Sequence, residues 1–145
     1  MPATDRRFLL RGLIAWLALP VLAIANGAFR EGILVPLLGE GAARVLTVAT
    51  FLCLAWPYTC GVLRWAPCPS STGALWLLGA LWMVLAVLFE FVVFGLALGV
   101  PVRDLLHAYD LRAGELWPLV LLGILVGPRL MTGLCTPRTE DPTPS

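Results

Sequence analysis

Apolar residues in this chain do not alternate with polar ones; they come in four long blocks. Residues 8–28, 44–63, 73–100 and 116–134 are nearly continuous in Leu, Val, Ala, Ile, Phe and Trp, with most charges gathered between them. A helix rises about 1.5 Å per residue, so about 20 residues cross a ~30 Å hydrocarbon layer, and each block is long enough. Period-2 alternation, the mark of a barrel strand, is missing. Backbone amides in hydrocarbon must be satisfied within their own segment, which leaves helices. The pattern predicts an all-α membrane protein: a four transmembrane helix bundle forming a single domain over residues 1–136. A disordered cytoplasmic tail, rich in Pro and Thr, is expected over 137–145.

Local signals refine these elements. Pro20 and Pro57 fall inside the first and second blocks, where a missing amide and a ring clash predict kinks. Ser70, Ser71 and Thr72 precede the third block and offer hydroxyls to cap its first turn. Between the first two blocks, Arg30 to Glu40 encloses an apolar island too short to cross, expected to rest in the membrane interface. Between the third and fourth, Pro101 can start a short helix with Val102, Leu105, Leu106 and Tyr109 on one face. Arg103, Asp104, His107 and Asp110 take its other face, which predicts an amphipathic interfacial helix between helices 3 and 4.

Composition agrees. Of 145 residues, 59% are hydrophobic and 13% charged, against about 25% charged in a soluble domain. So few charges cannot cover a water-exposed surface, and lipid is the implied solvent and first partner. All ten basic residues are Arg and the formal net charge is +1. No basic stripe exists to hold nucleic acid. Cys53, Cys60, Cys68 and Cys135 form no Cys-x-x-Cys pair, and His107 is the single histidine. Hence no metal site, cofactor or catalytic constellation is expected. Cys60, Cys68 and Cys135 fall on the side read as cytoplasmic, where thiols stay reduced.

Orientation follows from arginines at the span ends. With the N-terminus inside, Arg6, Arg7, Arg11, Arg64, Arg129 and Arg138 lie on the inner side, and Arg30, Arg44, Arg103 and Arg112 on the outer. The bias places both termini in the cytoplasm. A second reading of the first block is a cleaved signal peptide, with Ala23, Ile24 and Ala25 as its cleavage motif. Three further spans make an uncleaved first helix the simpler topology.

One residue breaks the apolar pattern. Glu90 lies well inside the third block, and an acid at membrane depth must be protonated, hydrated or paired. It is expected to face the bundle interior. Asn26 and Arg30, four apart near the outer end of the first helix, share a face and are its expected companions. Glu31, Arg44, Tyr109 and Asp110 are candidate outer members of this polar cluster. Gly95 and Gly99 in the third helix, and Gly123 and Gly127 in the fourth, have the spacing of close helix packing, within the bundle or in a homodimer.

Certain residues also carry a resemblance. Asn26 and Gly27 followed by Arg30 and Glu31, Pro36 and Gly39, then Phe89, Glu90, Phe91 and Gly95, form its first part. Leu105, Leu106, Tyr109, Asp110, Leu111, Gly114 and the run Trp117 to Leu121 form its second. Together they resemble a family of short bacterial four-span integral membrane proteins with no assigned activity. Ala108 and Glu115 stand where that pattern has an acid and often Arg. The resemblance implies four spans in a bacterial inner membrane.

Three functional readings follow. The first is a non-enzymatic integral membrane protein whose Asn26, Arg30 and Glu90 organise a buried polar centre. The second is a small proton-linked transporter or channel in which Glu90 titrates. The third is an accessory subunit with a membrane-protein partner.

Overall fold

A computed structural model describes residues 2–69 and 71–135, and helices dominate this part, with no strand among the described residues. Helix α1 runs Ala3–Trp16 and α2 runs Ala18–Phe29. The break between them has a simple origin three residues downstream. Pro20 carries no amide hydrogen to donate to the Trp16 carbonyl, and its ring crowds that carbonyl. The chain yields beside it, at Leu17, whose amide takes the tighter bond to the Ile14 carbonyl at 3.2 Å.

A π-helical turn, Arg30–Leu34, continues into α3, Val35–Trp65. The expected interfacial loop is therefore helical on both sides of one residue, Gly39, with φ 76° and ψ 168°. Only glycine adopts that region readily, and it ends one run of helix and starts another. A straight helix spanning the 63 residues Ala3–Trp65 would be on the order of 90 Å long. Instead the Tyr58 hydroxyl donates to the Ala15 carbonyl at 2.6 Å. The first 65 residues are thus a hairpin of two antiparallel arms that reverse at Gly39. Pro57 lies inside α3, where the backbone keeps helical φ and ψ; the one non-helical residue within that helix is Gly39.

Helix α4, Thr72–Glu90, starts at Ser71, whose hydroxyl accepts from the Ala74 amide at 3.3 Å. A second π-helical stretch, Phe91–Ala97, follows Glu90 directly. Gly99, with φ 70°, then terminates the run. Helix α5 is short, Val102–His107, and a 3-10 turn at Leu111–Ala113 leads to α6, Trp117–Cys135. Of the apolar face expected here, Leu105 is buried, Val102 and Leu106 are exposed, and Tyr109 lies beyond the helix. Three helical stretches are long and apolar enough to cross a membrane, namely Ala3–Trp65, Thr72–Ala97 and Trp117–Leu134. Their outward faces carry large exposed apolar side chains such as Val21, Val45, Leu88 and Leu122. The expected tail over 137–145 and the capping hydroxyl of Ser70 lie outside the described residues.

Packing centres on α6, which lies against both α3 and α4. At Gly79 a Cβ would run into the backbone of α6 at Leu125, so the two helices touch main chain to main chain. Gly123 and Gly127 turn to the other neighbour, α3, where Leu52 and Trp56 fill the space. The Trp56 indole donates to the Gly123 carbonyl at 3.4 Å. Gly95 and Gly99 do not make a second seam of this kind. Gly95 sits in the π-helical stretch against Leu105, and Gly99 lies past it with open space around its α-carbon.

The core is also fastened by polar groups. Trp82 is 1% exposed, and its indole donates to the Gly12 carbonyl at 2.9 Å. Trp16 donates to the Trp82 carbonyl at 3.2 Å. Each uses the second lone pair of a carbonyl already inside a helix, so no donor is left bare in an apolar interior. Cys53 and Cys68 are free thiols, whereas Cys60 is disulfide-bonded. The reduced state expected for Cys60 rested on compartment alone. Sulfur placement within the fold is a separate matter that spacing along the chain does not reveal.

Adding one methyl at Gly79 forces α4 and α6 apart. We expect Gly79→Ala to cost about 1–3 kcal/mol, read as earlier thermal unfolding in detergent. Gly133→Ala, with nothing within 4 Å of its built Cβ, is the control and should leave the unfolding midpoint in place.

Candidate functional site

Glu90 is the last residue of α4, at the point where the helix widens into the π-helical stretch. Such widened turns recur at functional sites because the extra residue per turn re-aims the side chains beside it. Both of its identified hydrogen bonds fall on one oxygen. Oε2 accepts from the Tyr109 hydroxyl at 2.5 Å and from the Trp117 indole at 2.9 Å. Oε1 accepts none among the described residues. It is not sealed off, because the buried unpartnered side-chain nitrogens and oxygens there are only Nε of Arg30 and Nε of Arg44. Among the described residues no Arg or His forms an ion pair with Glu90. The carboxyl is therefore held by two neutral donors and faces no counter-charge.

The connection that brings Tyr109 and Trp117 to Glu90 is itself anchored. Asp110 Oδ1 accepts from the Arg112 amide at 2.9 Å and caps the 3-10 turn. Gly114, with φ 82°, closes that turn, and its carbonyl accepts from Arg44 at 3.1 Å. Arg44 also pairs with Glu115 at 3.2 Å. The Phe91 and Tyr109 rings lie 6.4 Å apart, in contact distance for aromatic packing. The start of α3's second arm and the end of α4 thus hold the 98–116 connection from two sides.

Glu90 lines a cavity of about 540 Å³ between α2, α4, the π-helical stretch and α6. It is the only charged residue on the walls; the rest are apolar or aromatic, including Trp16, Phe89, Phe94 and Trp117. Trp16 and Phe89 meet edge to face at 6.2 Å. Ile24 and Phe94, both on the rim, are 55% and 37% exposed, so the cavity opens on the apolar outer face of the helices.

A second cavity, about 360 Å³, is polar and lies beside the first. Asn26, Arg30, Arg44, Thr47 and Glu115 line it, while Ala23, Gly27, Phe51 and Trp117 border both. Asn26 is 7% exposed and bonds across the hairpin: its amide donates to the Thr47 carbonyl at 2.9 Å, and its oxygen accepts from Thr50 at 2.8 Å. Arg30 is paired with Glu31 and Glu40, each at 2.6 Å.

The expected cluster is therefore divided. Asn26, Arg30 and Arg44 share the polar cavity; Glu90 and Tyr109 bond each other beside the apolar one; Glu31 and Asp110 stay at the exposed end. Sequence reasoning named Trp117 only within the resemblance and gave no part in the polar cluster to Trp117, Thr47, Thr50 or Glu115. The indole of Trp117 follows the last outer acid by two positions, which is the one signal that could have drawn it in. Among the described residues, no three His, Cys, Asp or Glu side chains come together to hold a metal ion. Comparison with protein-family models, curated proteins and solved structures finds no match.

Tyr109 reports on this geometry. Burial, and then its bond to the Glu90 carboxyl, push its phenol up to about 12. The neutral phenol is favoured in the folded state, so its contribution to stability is complete below the ordinary tyrosine value. It is lost as pH rises through about 12. The wild-type minus Tyr109→Phe difference in phenolate absorbance isolates this group and should titrate near that value. In a Glu90→Gln background the same difference should move back toward 10, the ordinary tyrosine value.

Proposed function

We propose that this chain is an integral membrane protein with four crossings that takes a small molecule into the Glu90 cavity and exchanges protons for it. The hairpin arms supply two crossings, and Thr72–Ala97 and Trp117–Leu134 the others. Both ends of the chain then share one side: the arginine distribution favours the cytoplasmic face of a bacterial inner membrane for it, whereas the disulfide of Cys60 near that end favours an oxidising face. Helix α5 lies at the opposite interface.

The observation that carries this reading is a carboxyl with no counter-charge and one uncommitted oxygen on the wall of a cavity. A static ion pair would use the acid's charge up inside the protein. Here two neutral donors orient the group and leave its charge available. Intramembrane acids so placed mark proton and substrate pathways. No residue needed for covalent chemistry takes part in this reading, which is a transport or binding function and not an enzymatic one.

A second reading has its own support. The bonds from Tyr109 and Trp117 tie α4 to α6 through the connecting segment, so Glu90 also serves as a structural latch, as in an accessory subunit. The two separate in proteoliposomes with an imposed pH gradient. On addition of lipophilic solutes, wild-type chains should dissipate the gradient, and Glu90→Gln should not, with its unfolding midpoint within a few degrees of wild type. A wild-type chain inert to every solute, beside a Glu90→Gln chain that unfolds, would establish the latch alone.

A further inference from the structure

We propose that the aromatic-walled cavity binds a lipophilic organic monocation, with Glu90 as its counter-charge; this rests on the reading of that cavity as a binding site. Three independent features converge on that class of ligand. The first is charge. The cavity holds a single ionisable group, an acid, with no basic side chain on its walls. The nearby arginines are already spoken for, Arg30 by Glu31 and Glu40 and Arg44 by Glu115. Among the described residues no basic side chain forms an ion pair with Glu90, so a cation from outside the chain can take that place whenever the carboxyl is ionised.

The second feature is the wall. Trp16, Phe89, Phe94 and Trp117 present aromatic surface to a cavity that also contains the acid. Ring faces carry negative potential and attract weakly hydrated cations, Trp most strongly. Anions are repelled by the same faces and by the carboxylate. Neutral solutes gain only the apolar contact. The third feature is the route. The rim residues Ile24 and Phe94 are exposed apolar side chains, 55% and 37% accessible, so the cavity opens through apolar surface. A ligand arriving there comes from hydrocarbon, so it must be lipophilic as well as charged. Hydrated metal ions and small polar amines do not meet that condition.

Gly27 supplies a variant that fills the site without disturbing the fold. It borders both cavities, and a Cβ built on it meets nothing within 4 Å. A leucine there would occupy ligand space and leave the helix contacts alone.

The test uses the full chain in phosphatidylcholine nanodiscs, with empty discs subtracting partition into lipid. Tetraphenylphosphonium is the cationic probe, tetraphenylborate its anionic counterpart of the same shape, and N-phenyl-1-naphthylamine a neutral fluorescent probe. Wild type should bind the phosphonium saturably, one per chain. Glu90→Gln should weaken that binding by about tenfold or more, because the cation loses its charged partner in a desolvated site. Gly27→Leu should abolish it with an unchanged unfolding midpoint, and the borate should show no saturable binding. Saturable borate binding, or equal phosphonium affinity in wild type and Glu90→Gln, overturns the inference. If the neutral probe still binds and Gly27→Leu still blocks it, the cavity reading survives while its cation specificity falls. If no probe binds wild type saturably, both fall.

Discussion

A carboxyl held by two neutral donors joins the parts of this molecule that the chain itself keeps far apart. Glu90 ends α4, Tyr109 lies in the connecting segment and Trp117 opens α6. A phenol and an indole both donating to one carboxyl oxygen fix where the segment between them must run. That placement, in turn, closes one side of the apolar cavity and leaves the second oxygen uncommitted. Had an arginine taken the same position, the charge would be neutralised inside the protein. Holding the acid with neutral groups keeps orientation separate from charge compensation.

The same economy governs the interior. In an apolar bundle the usual sinks for polar groups are absent, so away from Glu90 the interior indoles, the Tyr58 phenol and the Asn26 amide are directed at a backbone carbonyl or a short hydroxyl on a neighbouring helix. Trp82 reaches Gly12, Trp16 reaches Trp82, Tyr58 reaches Ala15, and Asn26 reaches Thr47 and Thr50. These bonds cross from one helix to another at defined heights. They set the vertical register of the hairpin and α4, which apolar contacts alone leave free to slide.

Helical class and the approximate extent of the apolar helices were legible in the sequence, because hydrocarbon admits few backbone solutions and block length declares them. Glu90 stood out for the same reason, as the one acid deep in an apolar block. Its partners did not, since Tyr109 and Trp117 lie 19 and 27 residues away, beyond any helical spacing. Arg30 looked like a companion for Glu90 because both sit near one end of the bundle. The reversal at Gly39 instead delivers Glu40 to Arg30, and two nearer acids outcompete a distant one. Composition can identify a glycine there but not its φ. The glycine spacings were equally ambiguous: Gly123 and Gly127 face α3, whereas the close backbone approach falls at Gly79, which belongs to neither pair.

Arg30, Glu31 and Glu40 gather at the tip of the hairpin, around a turn made by one residue. For a hairpin inserted into a bilayer tip first, that arrangement changes what has to be dragged across. Three separate ions would each shed their water, at about 2.5–3.5 kcal/mol apiece for the basic and aspartate-like groups on insertion scales. Collapsed into one set, with a single arginine bridging both acids, they travel as a compact group carrying one net negative charge and much of its hydrogen bonding already internal. The tip of the hairpin thus presents one compact ionic group in place of three separate charges.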